Sequence, residues 1–262
     1  MQYGFIGCGN MGGAIARGLS KSTKNIMVSD RSGKAAALAA ELEIAYGDNA
    51  TIVRQCSVIF LGVKPQMMKD VLQPLQPLLA ERKPLLISMA AGLTLQTIES
   101  LAGVHLPMIR IMPNTPTALG KGVIPYCCND AVSEEQLQIW KADMGPCGLV
   151  DRIDERLMDG VSALSGSGPA YLYMMLEAMA DGAVACGIPK EKALEYGAMT
   201  MLGAAEMYLQ THCHPAALKD AVCSPGGSTI AGIRVLEQRG FRSAVMDCVA
   251  VAYEKNKELG KN

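Results

Sequence analysis

The stretch Tyr3-Gly4-Phe5-Ile6-Gly7-Cys8-Gly9-Asn10-Met11-Gly12 decides the fold. Four residues of strand character run into a G-x-G-x-x-G turn, and the turn opens an amphipathic segment that predicts a helix over 10–20. Each glycine has a separate task. Gly7 permits the tight turn, Gly9 lets backbone come close to a pyrophosphate, and Gly12 allows helix to pack hard on sheet. The helix start adds uncovered N–H groups and the positive end of a dipole. In this strand, turn and helix context the stretch reads as a dinucleotide-binding turn rather than an ordinary glycine-rich bend.

Outward from it, short apolar runs alternate with amphipathic ones to about residue 150, the pattern of a parallel sheet with crossover helices. Strands are predicted near 2–6, 26–29, 58–62, 85–88, 107–111, 122–127 and 147–151. Helices are predicted near 10–20, 34–42, 50–55, 66–79, 94–101 and 133–143, with Pro74 and Pro77 bending or shortening the fourth. After Asp151 strand-like runs disappear, and long segments rich in Ala, Met, Leu and Gly predict helix only. The expected architecture is α/β: a doubly wound parallel sheet over 1–152, followed by an all-α domain over 153–262. Between Ala170 and Leu209 the charges are Glu177, Asp181, Lys190, Glu191, Lys192, Glu195 and Glu206 alone. Helices with so little polar face need cover, so a subunit interface is expected there; a self-contained bundle is the competing reading.

Charge excludes some partners. The 262 residues carry 24 basic and 25 acidic side chains, divided evenly along the chain, with no concentrated basic face for nucleic acid. Nine cysteines are scattered without a C-x-x-C pair, as a reducing compartment permits. The N-terminus lacks the form of a signal peptide, and no apolar run approaches the roughly 20 residues of a membrane span. A cytoplasmic protein is expected. His105, His212 and His214 have no ligand partners at metal-binding spacing, so no metal is expected.

Asp30-Arg31-Ser32, after the second strand, sends a mixed message about the dinucleotide. Asp30 suits the ribose hydroxyls of NAD, whereas Arg31 and Ser32 suit the 2′-phosphate of NADP. NADPH is favoured and NADH remains open, as does Arg31 as a solvated turn residue. Gly62-Val63-Lys64-Pro65 and Ala90-Ala91-Gly92 follow strands at the sheet edge where ligands bind, and their small residues would admit ribose and nicotinamide. Lys64 is either a solvated strand-end lysine or a participant in the chemistry.

Five blocks together resemble the pyrroline-5-carboxylate reductase family: 4–13, 62–65, Arg110-Ile111-Met112-Pro113-Asn114-Thr115-Pro116, Ala163-Leu164-Ser165-Gly166-Ser167-Gly168-Pro169-Ala170, and Ser224-Pro225-Gly226-Gly227-Ser228-Thr229. The resemblance spans nearly the whole chain; Asp30 and His212 depart from the usual family pattern. It implies a Rossmann-like N-terminal domain, a helical C-terminal domain that forms a homodimer, further assembly to a decamer in some members, and NAD(P)H-dependent reduction of L-1-pyrroline-5-carboxylate, the last step of proline synthesis. The expected cofactor-binding set is Ile6, Gly7, Gly9, Asn10, Met11, Arg31, Ser32, Asn49, Gly62, Val63, Lys64, Pro65, Ala90, Ala91 and Gly92.

Such a substrate has a ring C=N bond and a carboxylate, so its site must cradle an anion and orient an imine. Ser224 to Thr229 precedes the apolar run Ile230, Ile233, Val235 and Leu236 and reads as a helix start with uncovered N–H groups. The carboxylate is assigned to the N–H groups of Gly227, Ser228 and Thr229, and the Thr229 hydroxyl to the imine nitrogen. A plain helix start capped by Ser224 is the alternative. Ser165 is assigned to the substrate through the resemblance, with helix capping as its other reading; Asn114 and Thr115 are candidate contacts in the same cleft. The nearest rival is a 3-hydroxyacid dehydrogenase, whose relatives place a lysine on the long helix after the linker. Here no lysine occurs between Lys141 and Lys190.

Overall fold

The computed structural model describes residues 1–259. Its eight-stranded sheet has the order β3-β2-β1-β4-β5-β6-β7-β8. The strands are β1 (Tyr3–Ile6), β2 (Ile26–Ser29), β3 (Ala45–Tyr46), β4 (Val58–Leu61), β5 (Leu85–Ser88), β6 (Met108–Ile111), β7 (Gly122–Cys128) and β8 (Gly148–Arg152). Pairing is parallel from β3 through β6, β7 runs antiparallel to β6, and β8 is parallel to β7. The reversed pair departs from the all-parallel expectation. The link from β6 to β7 is a short 3-10 turn, Thr115–Leu119, too short for the crossover that a parallel return requires.

Helices cover both faces: α1 (Asn10–Leu19), α2 (Lys34–Leu42), α3 (Asn49–Gln55), α4 (Met68–Leu72), α5 (Gln76–Arg82), α6 (Leu95–Ala102) and α7 (Glu134–Met144). Strands β1, β2, β4, β5 and β6 are buried at every residue, which is why they read as continuous apolar runs rather than alternating ones. On one face Phe5 stacks on Phe60 with ring centroids 4.5 Å apart, and Tyr126 meets Trp140 edge-on at 5.1 Å. On the other, Ile59, Leu61, Leu86 and Met108 pack against Ile52, Leu72 and Ile98. Polar caps set helix starts: Asp48 accepts from Thr51 N at 2.6 Å, Thr94 from Thr97 N at 3.1 Å, and Ser133 forms a capping box with Gln136. The predicted helix over 66–79 is broken at the 3-10 turn Gln73–Leu75, where Pro74 withholds its N–H.

Contacts divide the chain into two compact units, Met1–Ser167 with Ala252 onward, and Gly168–Val251. Residues 153–167, expected in the helical domain, instead pack on the sheet unit. Met158, in α8 (Met158–Val161), is fully buried, and Arg110 of β6, only 3% exposed, pairs with Glu155 at 3.1 Å and Asp159 at 3.7 Å. Asn256 then bonds the Asp159 carbonyl at 3.1 Å, so the end of the last helix also counts with the first unit.

The second unit consists of α9 (Gly168–Ala185), α10 (Lys190–Thr211), α11 (Pro215–Ala221), α12 (Ser228–Gln238) and the first part of α13 (Phe241–Leu259). Helices α9 and α10 pack together where Gly197 meets Leu176; a Cβ at 197 would lie 2.8 Å from the Leu176 side chain. The Tyr171 hydroxyl bonds the Cys248 carbonyl at 3.5 Å. Little else is hidden: Ala180 is the only buried residue of α9, while Met174, Met199 and Met246 are 75%, 66% and 71% exposed. No described helix is long and apolar enough to cross a membrane.

The Arg110 network gives a stability prediction. Its Nε is buried without a partner among the described residues, and the guanidinium is held by Glu155 and Asp159. Arg110→Ala should lower unfolding free energy by about 3 kcal/mol, the lower end for losing one partner of a buried pair because both carboxylates are partly solvated. Urea denaturation measures this; a midpoint unchanged from wild type would contradict it.

Candidate active site

The order of strands reverses between β1 and β4, so the loops after these strands diverge and leave a crevice at the carboxyl edge of the sheet. A cleft of about 1170 Å³ opens there. Gly7 has φ +98°, a left-handed conformation that glycine adopts without strain. A Cβ on Gly12 would lie 2.2 Å from the Gly7 carbonyl oxygen, and one on Gly62 would lie 2.3 Å from the same atom. Only three glycines allow α1, β1 and β4 to meet this closely. Gly9 differs: a Cβ there would meet nothing within 4 Å. The space in front of it, at a helix start with no side-chain cap, is what a pyrophosphate requires. The residues present therefore fit a dinucleotide.

Of the predicted cofactor set, Ile6, Gly7, Gly9, Arg31, Ser32, Asn49, Gly62, Val63 and Lys64 line this cleft. Asn10 and Met11 form the first turn of α1, with Asn10 on a neighbouring depression beside Gly9 and Lys34. Pro65 opens the 3-10 turn after Lys64. Ala90 is buried, its N–H 3.3 Å from the Ser88 hydroxyl, and Ala91 and Gly92 follow it outside the cleft.

Hydrogen bonds refine the cofactor reading. The Asp30 carboxylate accepts from Ser32 N at 3.2 Å and Ser32 Oγ at 2.9 Å. The acid is thereby folded into its own turn, and the Ser32 hydroxyl proton expected for a 2′-phosphate is spent on Asp30. Arg31 is exposed and forms no ion pair among the described residues. Asn49 accepts from Ser29 Oγ at 2.7 Å through its side-chain oxygen, which leaves its amide donors for a ligand. Between the glycines, burial first and then the Asp30 charge push the Cys8 thiol up to about 12. It stays protonated and adds no negative charge where phosphates would sit.

Sequence reasoning missed the far wall of the cleft. Tyr46, Gly47, Asp48, Ala50, Arg54, Met67, Asp70, Val71, Pro74, Leu75 and Leu78 also line it. Strand β3, the two residues Ala45 and Tyr46, was too short to show periodicity, but Asp48-Asn49-Ala50-Thr51 is a legible capping signal. Asn114, a candidate ligand contact, serves as a clasp within the fold. It is 6% exposed, donates to the Ser165 carbonyl at 3.0 Å and accepts from Val123 N at 2.9 Å. Ser165 lies in a π-turn, Ser162–Gly166, where its hydroxyl donates to the Val161 carbonyl at 2.9 Å. It does not cap a helix.

In the second unit, α12 begins at Ser228 with Gly227 as its cap residue and no side-chain cap. The Gly227 N–H bonds the Ser224 carbonyl at 3.0 Å. The expected set of anion donors thus loses Gly227, while the N–H groups of Ser228 and Thr229 remain unbonded; both residues are exposed. Ser224 serves the turn through its carbonyl and does not cap α12.

The glycine geometry separates stability from binding. Gly12→Ala should cost about 1–3 kcal/mol through its clash with the Gly7 carbonyl, whereas Gly9→Ala should leave the denaturation midpoint unchanged and abolish dinucleotide binding. Urea melts and cofactor titrations on both variants check this, and tight binding by Gly9→Ala would contradict the pyrophosphate placement.

Comparison with known proteins agrees with these features. Residues 155–259 match the family model described as pyrroline-5-carboxylate reductase dimerisation, and residues 2–92 match one described as NADP oxidoreductase coenzyme F420-dependent. The chain is 42% identical to the pyrroline-5-carboxylate reductase of Synechocystis, over 100% of this chain and 99% of that one. It is 39% identical to that of Escherichia coli over the same shares. Among solved structures, pyrroline carboxylate reductase of Plasmodium falciparum with NADP bound aligns with a TM-score of 0.88 and 32% identity, covering 99% of this chain and 98% of that one. Prephenate dehydrogenase of Aquifex aeolicus, at 14% identity and a TM-score of 0.52, covering 98% of this chain and 100% of that one, shares the fold alone. Dinucleotide crevice, helical dimerisation region and full-length identity converge, and the chain belongs to the pyrroline-5-carboxylate reductase family.

Proposed function

We propose that the protein reduces the C=N bond of L-1-pyrroline-5-carboxylate to give L-proline, the closing step of proline biosynthesis, with NADPH as donor and NADH as a second possibility. The full-length identity of 39–42% to reductases of that name carries this reading. When bound, the nicotinamide supplies the hydride that adds to the imine carbon. The chain does the rest. The glycine turn and the first N–H groups of α1 hold pyrophosphate, the Asn49 amide and Arg31 hold the adenosine end, and the backbone at Gly62, Val63 and Lys64 supports the nicotinamide side.

The substrate carboxylate is assigned to the free N–H groups of Ser228 and Thr229 at the α12 start, where the helix dipole favours an anion. The Thr229 hydroxyl, which has no hydrogen-bond partner among the described residues, orients the protonated imine nitrogen or passes it a proton as the carbon is reduced. Ser165 is assigned to the substrate on the family resemblance; its hydroxyl proton is engaged by Val161, so it would act as an acceptor. A hydroxyacid dehydrogenase is disfavoured because α9 carries only Glu177 and Asp181 as charged groups.

NADPH is favoured because Asp30 is folded onto Ser32 while Arg31 is free. Assembly as a homodimer through the second unit is supported by its exposed methionines and by the matched dimerisation model. A cytoplasmic location is supported by nine cysteines, all free.

The test is the fall in cofactor absorbance when L-1-pyrroline-5-carboxylate is added with NADPH or NADH. Rapid oxidation, faster with NADPH, is expected; none with either cofactor would overturn the assignment. Thr229→Ala should cut kcat about 100-fold with NADPH affinity unchanged, and Thr229→Ser should retain most activity. Full activity in Thr229→Ala would remove the role assigned to the hydroxyl.

A further inference from the structure

Two guanidinium groups on the cofactor cleft make no direct ion pair among the described residues. Arg31 follows β2, and Arg54 stands in the last turn of α3; both are exposed, line the cleft and form no ion pair among the described residues. The acids on the same walls make their hydrogen bonds elsewhere, although the Arg54 charge acts on Asp48. Asp30 is bonded by Ser32 N and Oγ, and Asp48 caps α3 by accepting from Thr51 N at 2.6 Å. That bond, and to a smaller degree the nearby Arg54 charge, keep the Asp48 carboxyl below its ordinary range. Asp70, on α4, is exposed and reaches neither guanidinium. Asn49, whose amide donors are freed by the Ser29 bond, starts the same helix that carries Arg54 in its last turn.

The wall built by β2 and α3 thus keeps free donors at Arg31, Arg54 and Asn49, while Asp30 and Asp48 make their hydrogen bonds within their own turn and cap. A phosphomonoester carries about 1.5 to 2 negative charges near neutral pH. One bidentate guanidinium engages two of its oxygens and leaves the remaining charge and oxygen for a second donor. We propose that Arg54 is a second cation for the adenosine 2′-phosphate and, with Arg31, determines preference for NADPH over NADH. This deepens the cofactor reading and rests on it. It also explains how a chain with Asp30 after β2, where an acid ordinarily selects NAD, can accept the phosphorylated cofactor: both Asp30 carboxylate oxygens are engaged by Ser32, and a cation from the next helix adds to Arg31.

Calorimetric titration with 2′,5′-ADP and with 5′-AMP tests this without turnover. Arg54→Ala should weaken 2′,5′-ADP about tenfold, as expected for a charge-assisted bond, leave 5′-AMP nearly unaltered, and flatten the salt dependence of 2′,5′-ADP binding; Arg54→Lys should recover part of the loss. An unchanged 2′,5′-ADP affinity, or equal loss of both ligands, would overturn the proposal. The outcome is separable from that of the reductase assignment. Wild-type protein that reduces the imine with NADH yet does not discriminate 2′,5′-ADP from 5′-AMP would sink this inference alone. Loss of discrimination in Arg54→Ala, in a protein inactive on the imine, would support it and sink only the substrate.

Discussion

The Gly7 carbonyl oxygen has Gly12 on one side and Gly62 on the other, each so close that a Cβ would fall 2.2 or 2.3 Å from it. This contact sets how near α1 can come to the first and fourth strands, and hence where the crevice between their diverging loops lies. It also turns the start of α1 toward that crevice, so the open space before Gly9 and the uncovered N–H groups share one location. Cofactor binding by this chain thus starts from a packing condition: absent side chains at 7, 12 and 62 let the backbone itself become the ligand.

Around that point the charges are arranged by local hydrogen bonding more than by residue type. Asp30 and Asp48 keep their charges, but each makes its hydrogen bonds within its own turn or cap. Cys8 is kept neutral by burial. What remains available to a ligand are donors, at Arg31, Arg54, Lys64 and the Asn49 amide. Which groups can bond a ligand directly is decided by what is left over after local hydrogen bonds are made.

Much of this was legible in the residues. Fully buried strands read as apolar runs at 26–29 and 85–88, helix α2 as an amphipathic segment at 34–42, and the glycine turn as a ligand loop. What escaped has physical causes. Strand β3 is two residues long and has no period. The antiparallel return of β7 depends on the length of a 3-10 turn, and residues 153–167 join the sheet unit through Met158 and the Arg110 pairs, contacts between positions more than 40 apart. Asn114 was read as a ligand contact because it sits on a proline-bounded turn; its two hydrogen bonds to Ser165 and Val123 could not be seen from neighbours in sequence. Arg54 carries no local signal of a ligand contact, since nothing in neighbouring residues shows which wall a helix presents to a cleft.

The second unit obeys a different demand. Helices α9 and α10 bury only a few small residues and leave methionines, leucines and tyrosines outward. A sparse polar face of this kind is an interface composition. The helix start at Ser228 and Thr229 adds unbonded N–H groups to that unit, the feature on which the substrate assignment stands. The central claim, that a nicotinamide held at the glycine crevice delivers hydride to the carbon of a cyclic imine acid, is tested most directly by isotope transfer. Protein incubated with L-1-pyrroline-5-carboxylate and NADPH deuterated at the transferring face of C4 should yield proline carrying deuterium at the former imine carbon, seen by NMR. Consumption of the cofactor without deuterium in proline would contradict the account.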